Sequence, residues 1–145
     1  MNILKRLPDD LQEKIYKIIH HDFMRKMKRE LWNNLKEHQQ EYYISTKYDS
    51  ESASYCIYTE NDKLQHPDEI AIYGKCVVFQ GQDDMWNTSD YVGDVLENPS
   101  YGDILLEADN AIKITEDNHH IFLEGFDIVS YTDCEIAIIE LCMGS

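Results

Sequence analysis

The sequence lacks any long apolar run. No window approaches the roughly 18 consecutive apolar residues of a membrane-spanning helix, and residues 1–6 do not lead into the apolar core of a secretory signal. We therefore expect a soluble intracellular protein without a membrane partner. The chain has 145 residues, 43% of them apolar and 11% aromatic, which is typical of one folded domain rather than a disordered acidic chain.

The sequence also lacks paired cysteines. Its four cysteines are far apart and form no CxxC motif, which disfavours a zinc or redox site. They are Cys56, Cys76, Cys134 and Cys142. Because free cysteine is among the most buried residue types, we expect reduced thiols inside the fold.

Motifs of common enzymes are missing as well: there is no GxSxG, P-loop, GxGxxG or HExxH. The alternative to an interaction or structural protein is a small enzyme that uses His119, His120 and nearby acids. Adjacent residues on a strand point to opposite faces, so at most one of the two histidines could join a given site. We expect instead that the pair marks the start of a strand, with one ring packed or hydrogen-bonded in a turn. The expected protein has no catalytic residue, metal or cofactor.

Basic residues are scarce after the first third of the chain. Residues 1–48 contain ten Lys or Arg and seven Asp or Glu, a balance of +3, whereas residues 49–145 contain three and twenty-one, a balance of -18. The two sum to the net charge of -15. An acidic body repels polyanions, so nucleic acid is disfavoured as a partner. The acidic segment Gly81 to Gly102 is predicted to be a solvated loop, because Asp83-Asp84-Met85-Trp86-Asn87 lacks the ligand spacing of a calcium-binding EF-hand.

The first 44 residues contain the clearest helical pattern. Pro8, Asp9 and Asp10 suit a helix start, and apolar residues then recur three or four apart without Gly or Pro up to residue 42. These apolar residues are Leu11, Ile15, Ile18, Ile19, Phe23, Met27, Leu31 and Leu35. The pattern predicts a long amphipathic helix, with a bend at His20-His21-Asp22 as an open question.

The remaining chain predicts an acidic α+β body over residues 52–145. We expect strands at 54–59, at 69–80 with a turn at Gly74-Lys75, at 120–129 and at 134–143. Apolar spacing predicts one further helix over 103–115. The fold class is therefore α+β: a long N-terminal helix, an antiparallel sheet of about four to five strands, and one further helix.

The opening Leu7-Pro8-Asp9-Asp10-Leu11-Gln12-Glu13-Lys14-Ile15-Tyr16 resembles the first helix of an F-box. It also resembles the F-box-like openings of proteins from large DNA viruses of algae and amoebae. The stretch Ala108–Lys113, followed by His119–Gly125, resembles the same set of viral proteins. This resemblance implies a viral protein that recruits a ubiquitin-ligase adaptor. The adaptor-facing positions would be Leu7, Pro8, Leu11 and Ile15.

Taken together, the sequence predicts a non-enzymatic interaction or structural protein that docks through its N-terminal helix onto a protein partner or a second copy. An F-box-like ubiquitin-ligase adaptor is the alternative among binding functions. The expected partner-binding residues are Leu7, Pro8, Leu11, Ile15, Leu31 and Leu35.

A DNA titration tests the role of the basic cluster Arg25, Lys26, Lys28 and Arg29. We expect these residues to form the solvated face of a helix, and the competing hypothesis is that they bind phosphates. We expect no binding to labelled duplex DNA tighter than micromolar at physiological salt. Four phosphate contacts would give a log–log salt slope near roughly -3.6. A nanomolar complex with that slope, lost when all four residues are changed to Gln, would contradict the interaction-protein interpretation.

Overall fold

A computed structural model describes residues 8–80 and 90–145. Within these residues the chain forms three helices and six strands, which confirms the α+β class, and it divides into two compact units between Lys36 and Glu37. The first unit contains α1 (Asp9–Asn34). The second contains α2 (Glu37–Tyr48), β1 (Ser54–Tyr55), β2 (Lys75–Gln80), β3 (Tyr91–Val92), β4 (Leu96–Glu97), α3 (Tyr101–Thr115), β5 (Phe122–Tyr131) and β6 (Ala137–Gly144). None of the helices in the described ranges is long and apolar enough to span a bilayer.

The long first helix is confirmed and begins where its sequence predicts. Pro8 precedes it with extended backbone (φ -54°, ψ 147°), and the Pro8 carbonyl accepts the first helical hydrogen bond from the N–H of Gln12 at 3.0 Å. Asp9 and Asp10 occupy the first turn, where their carboxylates face the positive end of the helix dipole. The helix continues without interruption through residues 20–22, where a bend was considered.

The helical pattern predicted up to residue 42 is interrupted at Leu35. That residue has extended backbone (φ -72°, ψ 149°), and its N–H donates to the Trp32 carbonyl at 3.0 Å. Asn33 and Asn34 precede the break, and asparagine side chains favour helix ends because they compete for backbone hydrogen bonds. The sequence after the break forms α2, so the described chain has two further helices rather than one.

The sheet is mixed, which corrects the expected antiparallel sheet of four to five strands. Its strand order is β1-β5-β6-β2, and β3 and β4 both pair with β2. The predicted final hairpin is confirmed, because β5 and β6 are adjacent and antiparallel. However, β1 runs parallel to β5, and β2 runs parallel to β6. Apolar patterning does not specify the direction of a distant partner strand, and both parallel pairs join distant segments.

The sheet and α3 supply most of the buried apolar residues of the second unit. Cys76, Val78 and Ile139 are completely buried, and Val78 pairs with Ile139 in register. Helix α3 begins with a capping box in which Ser100 and Asp103 satisfy each other's backbone N–H groups. Its buried apolar residues are Ile104, Leu105, Ala108, Ala111 and Ile112. The predicted second helix is thus confirmed, and it extends two residues further towards the N-terminus than expected.

The hairpin predicted over residues 69–80 is wrong. Only Lys75–Gln80 forms a strand, and the preceding segment bonds instead to the residues that lead into α3. The Ala71 N–H donates to the Pro99 carbonyl, and the Asn98 N–H donates to the Gly74 carbonyl, both at 2.8 Å. The expected hairpin turn at Gly74-Lys75 is also wrong: Gly74 lies at a bend directly before β2, with a φ of 109° where glycine is favoured.

Two other expectations need correction. The predicted acidic loop contains β3 and β4, and its residues 81–89, which include the acidic segment considered for calcium, lie outside the described residues. All four cysteines are free, as expected, but Cys76 alone is buried. Cys134 is exposed because it lies in the turn between β5 and β6, and Cys56 and Cys142 are half-buried.

A buried carboxylate fastens α3 to the segment before β1. One oxygen of Asp109 accepts the backbone N–H groups of Ser52 at 2.5 Å and Ala53 at 3.1 Å, and the hydroxyl of Ser50 at 3.2 Å. The other oxygen lies 3.0 Å from the Lys113 ammonium group. Burial alone would raise the pKa of Asp109, but these donors outweigh it and lower the pKa below its ordinary value of 3.8.

Replacement of Asp109 tests this attachment. Asp109→Ala leaves buried N–H groups without an acceptor, so we expect the free energy of unfolding to fall by roughly 1–3 kcal/mol, and by less for Asp109→Asn. Since the folded-state pKa is lowered, the stabilisation is present above pH 3.8 and is lost as the pH falls below it. Urea unfolding at pH 7 and pH 3 measures both effects. An equal decrease in the free energy of unfolding for the exposed control Asp133→Asn would contradict the role assigned to Asp109.

Candidate protein-binding helix

Helix α1 is exposed along almost its whole length. Of its 26 residues, Trp32 alone is buried. Its large exposed apolar side chains are Leu11, Tyr16, Ile18, Ile19, Phe23, Met27 and Leu31. Three of them, Ile18, Phe23 and Leu31, are 60–62% exposed. An apolar surface of this kind typically marks an interaction site, because isolated exposed apolar residues are common but contiguous ones are not.

The apolar residues of α1 do not remain on one face. A helix turns by about 100° per residue, so positions four apart advance by about 40° around the axis at each step. Two patches result, with centres roughly 150° apart around the helix. We call Leu11, Ile15, Ile18 and Ile19 the N-terminal patch, and Phe23, Met24, Met27 and Leu31 the central patch. The expected single apolar face is therefore a surface that winds around α1.

Charged side chains surround these patches. The basic cluster Arg25, Lys26, Lys28 and Arg29 is exposed. Within α1, the Arg25 guanidinium lies 3.0 Å from Asp22, and the Lys17 ammonium lies 3.2 Å from Glu13. Exposed pairs of this kind contribute at most about 1 kcal/mol each, so they solubilise the helix rather than fix its conformation.

The residues expected to bind a partner fall into separate places. Leu7 lies outside the described residues, and Pro8 is exposed immediately before α1. Leu11 and Ile15 lie one turn apart in the N-terminal patch, where Leu11 is exposed and Ile15 is half-buried. Leu31 follows Leu11 by 20 residues, a rise of about 30 Å, and faces away from it. Leu35 is half-buried beyond the end of α1.

His119 and His120 lie in the turn between α3 and β5. The Nδ1 atom of His120 is 2.9 Å from one oxygen of Asp117, and the backbone N–H of His119 donates to the other oxygen at 3.1 Å. Burial alone would raise the pKa of Asp117, but these hydrogen bonds lower it. This confirms the expectation that one ring of the pair is hydrogen-bonded in a turn. Among residues 8–80 and 90–145, no three His, Cys, Asp or Glu side chains converge to hold a metal ion.

A second polar cluster, which sequence reasoning missed, joins α2 to the loop before β2. The Asp68 carboxylate accepts hydrogen bonds from the hydroxyls of Tyr43 and Tyr48 and lies 2.8 Å from the Lys47 ammonium. The Lys47 ammonium also lies within 5.7 Å of both tyrosine ring centres. The ring of Tyr43 meets that of His66 edge-on, with centroids 6.1 Å apart.

The electrostatics of this cluster indicate a structural role. Burial raises the pKa of Tyr48 to about 12, and its hydrogen bond to Asp68 adds to the increase. The bond to Asp68 also raises the pKa of Lys47. Burial alone would raise the pKa of Asp68, but Lys47 and the two tyrosines lower it. At neutral pH these four groups therefore keep their ordinary charges, and none of them is poised to exchange a proton with a substrate.

Only part of this cluster has a signal in the sequence. Tyr43, Lys47 and Tyr48 recur four and five residues apart, which places them on one side of a helix. The acidic partner Asp68 is 20 residues beyond Tyr48 in an irregular segment, so no local pattern connects it to α2.

No protein-family model matches this chain, and no curated protein or solved structure matches it either. The candidate site therefore depends on the geometry alone.

Chelation tests the structural interpretation of the histidine turn. A metal bound only by the native state would stabilise it by mass action. We expect the melting temperature to remain unchanged when divalent metals are removed with EDTA, because the His120 ring already bonds to Asp117. A decrease of several degrees that zinc reverses, and that His120→Ala abolishes, would show that the turn is a metal site.

Proposed function

We propose that this protein is a non-enzymatic interaction protein that docks through α1. The observation that supports this proposal is the exposure of two apolar patches on a 26-residue helix that buries only Trp32. A helix stabilised by its own domain normally covers an apolar stripe. Here the apolar side chains remain available to another protein.

The size of the patches sets what a partner must cover. Complete burial of one exposed apolar side chain contributes roughly 1.5–3 kcal/mol, and these side chains are already partly covered. One patch of four therefore contributes on the order of 5 kcal/mol, and both contribute on the order of 10. Association costs about 4–15 kcal/mol in lost freedom, so a stable complex requires contact with both patches.

The arrangement of the apolar residues along α1 favours a crossing helix as partner. Leu11, Ile15, Ile19, Phe23, Met27 and Leu31 lie four residues apart and form one continuous ridge that connects the two patches. Ridges of this type pack against each other when two helices cross at about -50°. Because the two patches face sides roughly 150° apart, one crossing helix covers one patch, and coverage of both requires a partner helix on each side of α1. A long parallel coiled coil would instead need a straight stripe with a repeat of 3.5 residues. In the isolated protein, the available partner with such a ridge is a second copy of α1.

An F-box-like adaptor is the second candidate function. The observation in its favour is that α1 begins directly after Pro8 and presents Leu11 and Ile15 one turn apart. An F-box has loops between three helices, whereas α1 continues without a break through His20–Asp22. For that reason we rank this function below general docking. With the viral resemblance, the proposed setting is the cytoplasm of an infected cell or the virion.

Self-association of the isolated protein tests docking through α1. We expect a mass above the 17.1 kDa of one chain, increasing with concentration, in light scattering after gel filtration. Phe23→Lys/Leu31→Lys places two charges in the central patch and should weaken association at least tenfold. The matched control Asn33→Lys/Asn34→Lys adds the same charge at exposed positions of the same helix and should associate like the wild type. A clean monomer at millimolar concentration, or equal effects of the two variants, would contradict the proposal.

A further inference from the structure

Among the residues that the structure describes, strand β5 has a long edge without a partner strand. One side of β5 pairs with β6 along its length. On the other side, β1 pairs only with Phe122 and Leu123, and the last bond joins the Cys56 N–H to the Leu123 carbonyl at 2.8 Å. Within the described parts of the chain, no strand pairs with this side of β5 from Glu124 to Tyr131. Alternate residues of a strand direct N–H and C=O groups to each side, so this edge presents free backbone donors and acceptors.

Three large apolar side chains along this edge are exposed. Ile128, Val129 and Tyr131 are 44%, 54% and 65% exposed. Ile128 pairs in register with Ile139 of β6, which is completely buried. At this position the cover over the face of the sheet therefore ends between β6 and β5, although Leu123 near the start of β5 is completely buried. A further strand beside β5 would extend the buried face over Ile128.

Two irregularities limit where another strand can pair. The register between β5 and β6 shifts between Leu123 and Gly125 and between Ile128 and Ser130. Bulges of this kind commonly protect exposed sheet edges. Between them, residues 125–128 form a regular stretch of backbone. Pairing of an added strand is therefore centred on these residues, and Tyr131 lies beyond the second shift.

Charge decides which kind of strand fits. After Lys113 the sequence contains seven Asp or Glu and no Lys or Arg. Asp127 of β5 pairs directly with Glu140 of β6, and Glu124 lies on the same strand, close to Gly144. Directly opposed carboxylates are unfavourable, so a cation next to Asp127 on a neighbouring strand is favoured. A second copy of β5 would instead bring Glu124 and Asp127 of both chains together.

We propose that the edge of β5 from Gly125 to Tyr131 binds an extended segment of a partner protein that contains lysine or arginine, by adding it to the sheet as a strand. Backbone hydrogen bonds hold the segment, and its apolar side chains pack on Ile128 and Tyr131. Its basic side chains lie beside Asp127, on the face of the sheet that also carries Glu140. This surface is separate from α1 and does not depend on the function proposed for that helix.

A pair of synthetic peptides tests the proposal on the full chain. The probe is a labelled nine-residue peptide of alternating valine and lysine, and fluorescence anisotropy measures its affinity. The first control replaces lysine with glutamate. The second keeps every lysine but has proline at the central valine, which removes one backbone donor and disfavours a strand. We expect the valine–lysine peptide to bind at least tenfold more tightly than either control.

Two variants and hydrogen exchange locate the site. Ile128→Lys should weaken binding of the valine–lysine peptide at least tenfold, and Asp127→Asn should weaken it less and reduce its salt dependence. Phe23→Lys/Leu31→Lys in α1 should leave the affinity for the valine–lysine peptide unchanged. That result would distinguish this site from the docking helix. Amides within residues 125–131 should exchange more slowly with the peptide bound.

Several outcomes would overturn the proposal. The first is that the valine–lysine peptide does not bind. The second is that the proline peptide binds equally well, which would indicate attraction by charge alone. The third is that hydrogen exchange slows only at residues outside β5. Because Ile128 is exposed, its replacement should preserve the fold. If circular dichroism shows that Ile128→Lys is unfolded, Val129→Lys at the neighbouring exposed position takes its place.

Discussion

The unit from Glu37 to Ser145 depends on the burial of one face of α3 together with one face of the mixed sheet. Ile104 and Ala108 of α3 are completely buried, as are Val78 and Ile139 of the two central strands. The polar contacts follow from this arrangement. With α3 fixed, the Asp109 carboxylate can hold the segment before β1, which in turn pairs with the first two residues of β5.

This core covers the sheet unevenly, and the uncovered parts carry the proposed interactions. Strand β5 is ten residues long, but β1 covers two of them. Helix α1, in the other unit, buries one of its 26 residues. The two surfaces differ in their chemistry. The helix offers apolar side chains on a winding ridge, whereas the strand offers backbone groups flanked by carboxylates, so they suit different partners.

Local patterns predicted the elements that local sequence determines. Helix α3 has apolar residues at helical spacing, and β5 and β6 are dense in apolar residues and close in sequence, so both predictions succeeded. The failures involve distant contacts. Residues 69–74 bond to residues 98–101, which no short pattern indicates. The break at Leu35 occurs without Gly or Pro, and the Asp68 cluster joins residues about 20 positions apart. On α1, a list of apolar residues suggested one face, although their four-residue spacing already required them to wind.

Hydrogen exchange of the α1 backbone amides at several protein concentrations tests the docking claim most directly. Most of the stability of a helix in a protein comes from packing of its apolar side chains rather than from its own hydrogen bonds, so an undocked α1 lacks its main source of stability. If α1 is a docking helix, its amides exchange rapidly in dilute solution and become protected as the concentration rises, while the amides of α3 keep constant protection. Protection of α1 that is equally strong at every concentration would show that the helix needs no partner, and would contradict the account.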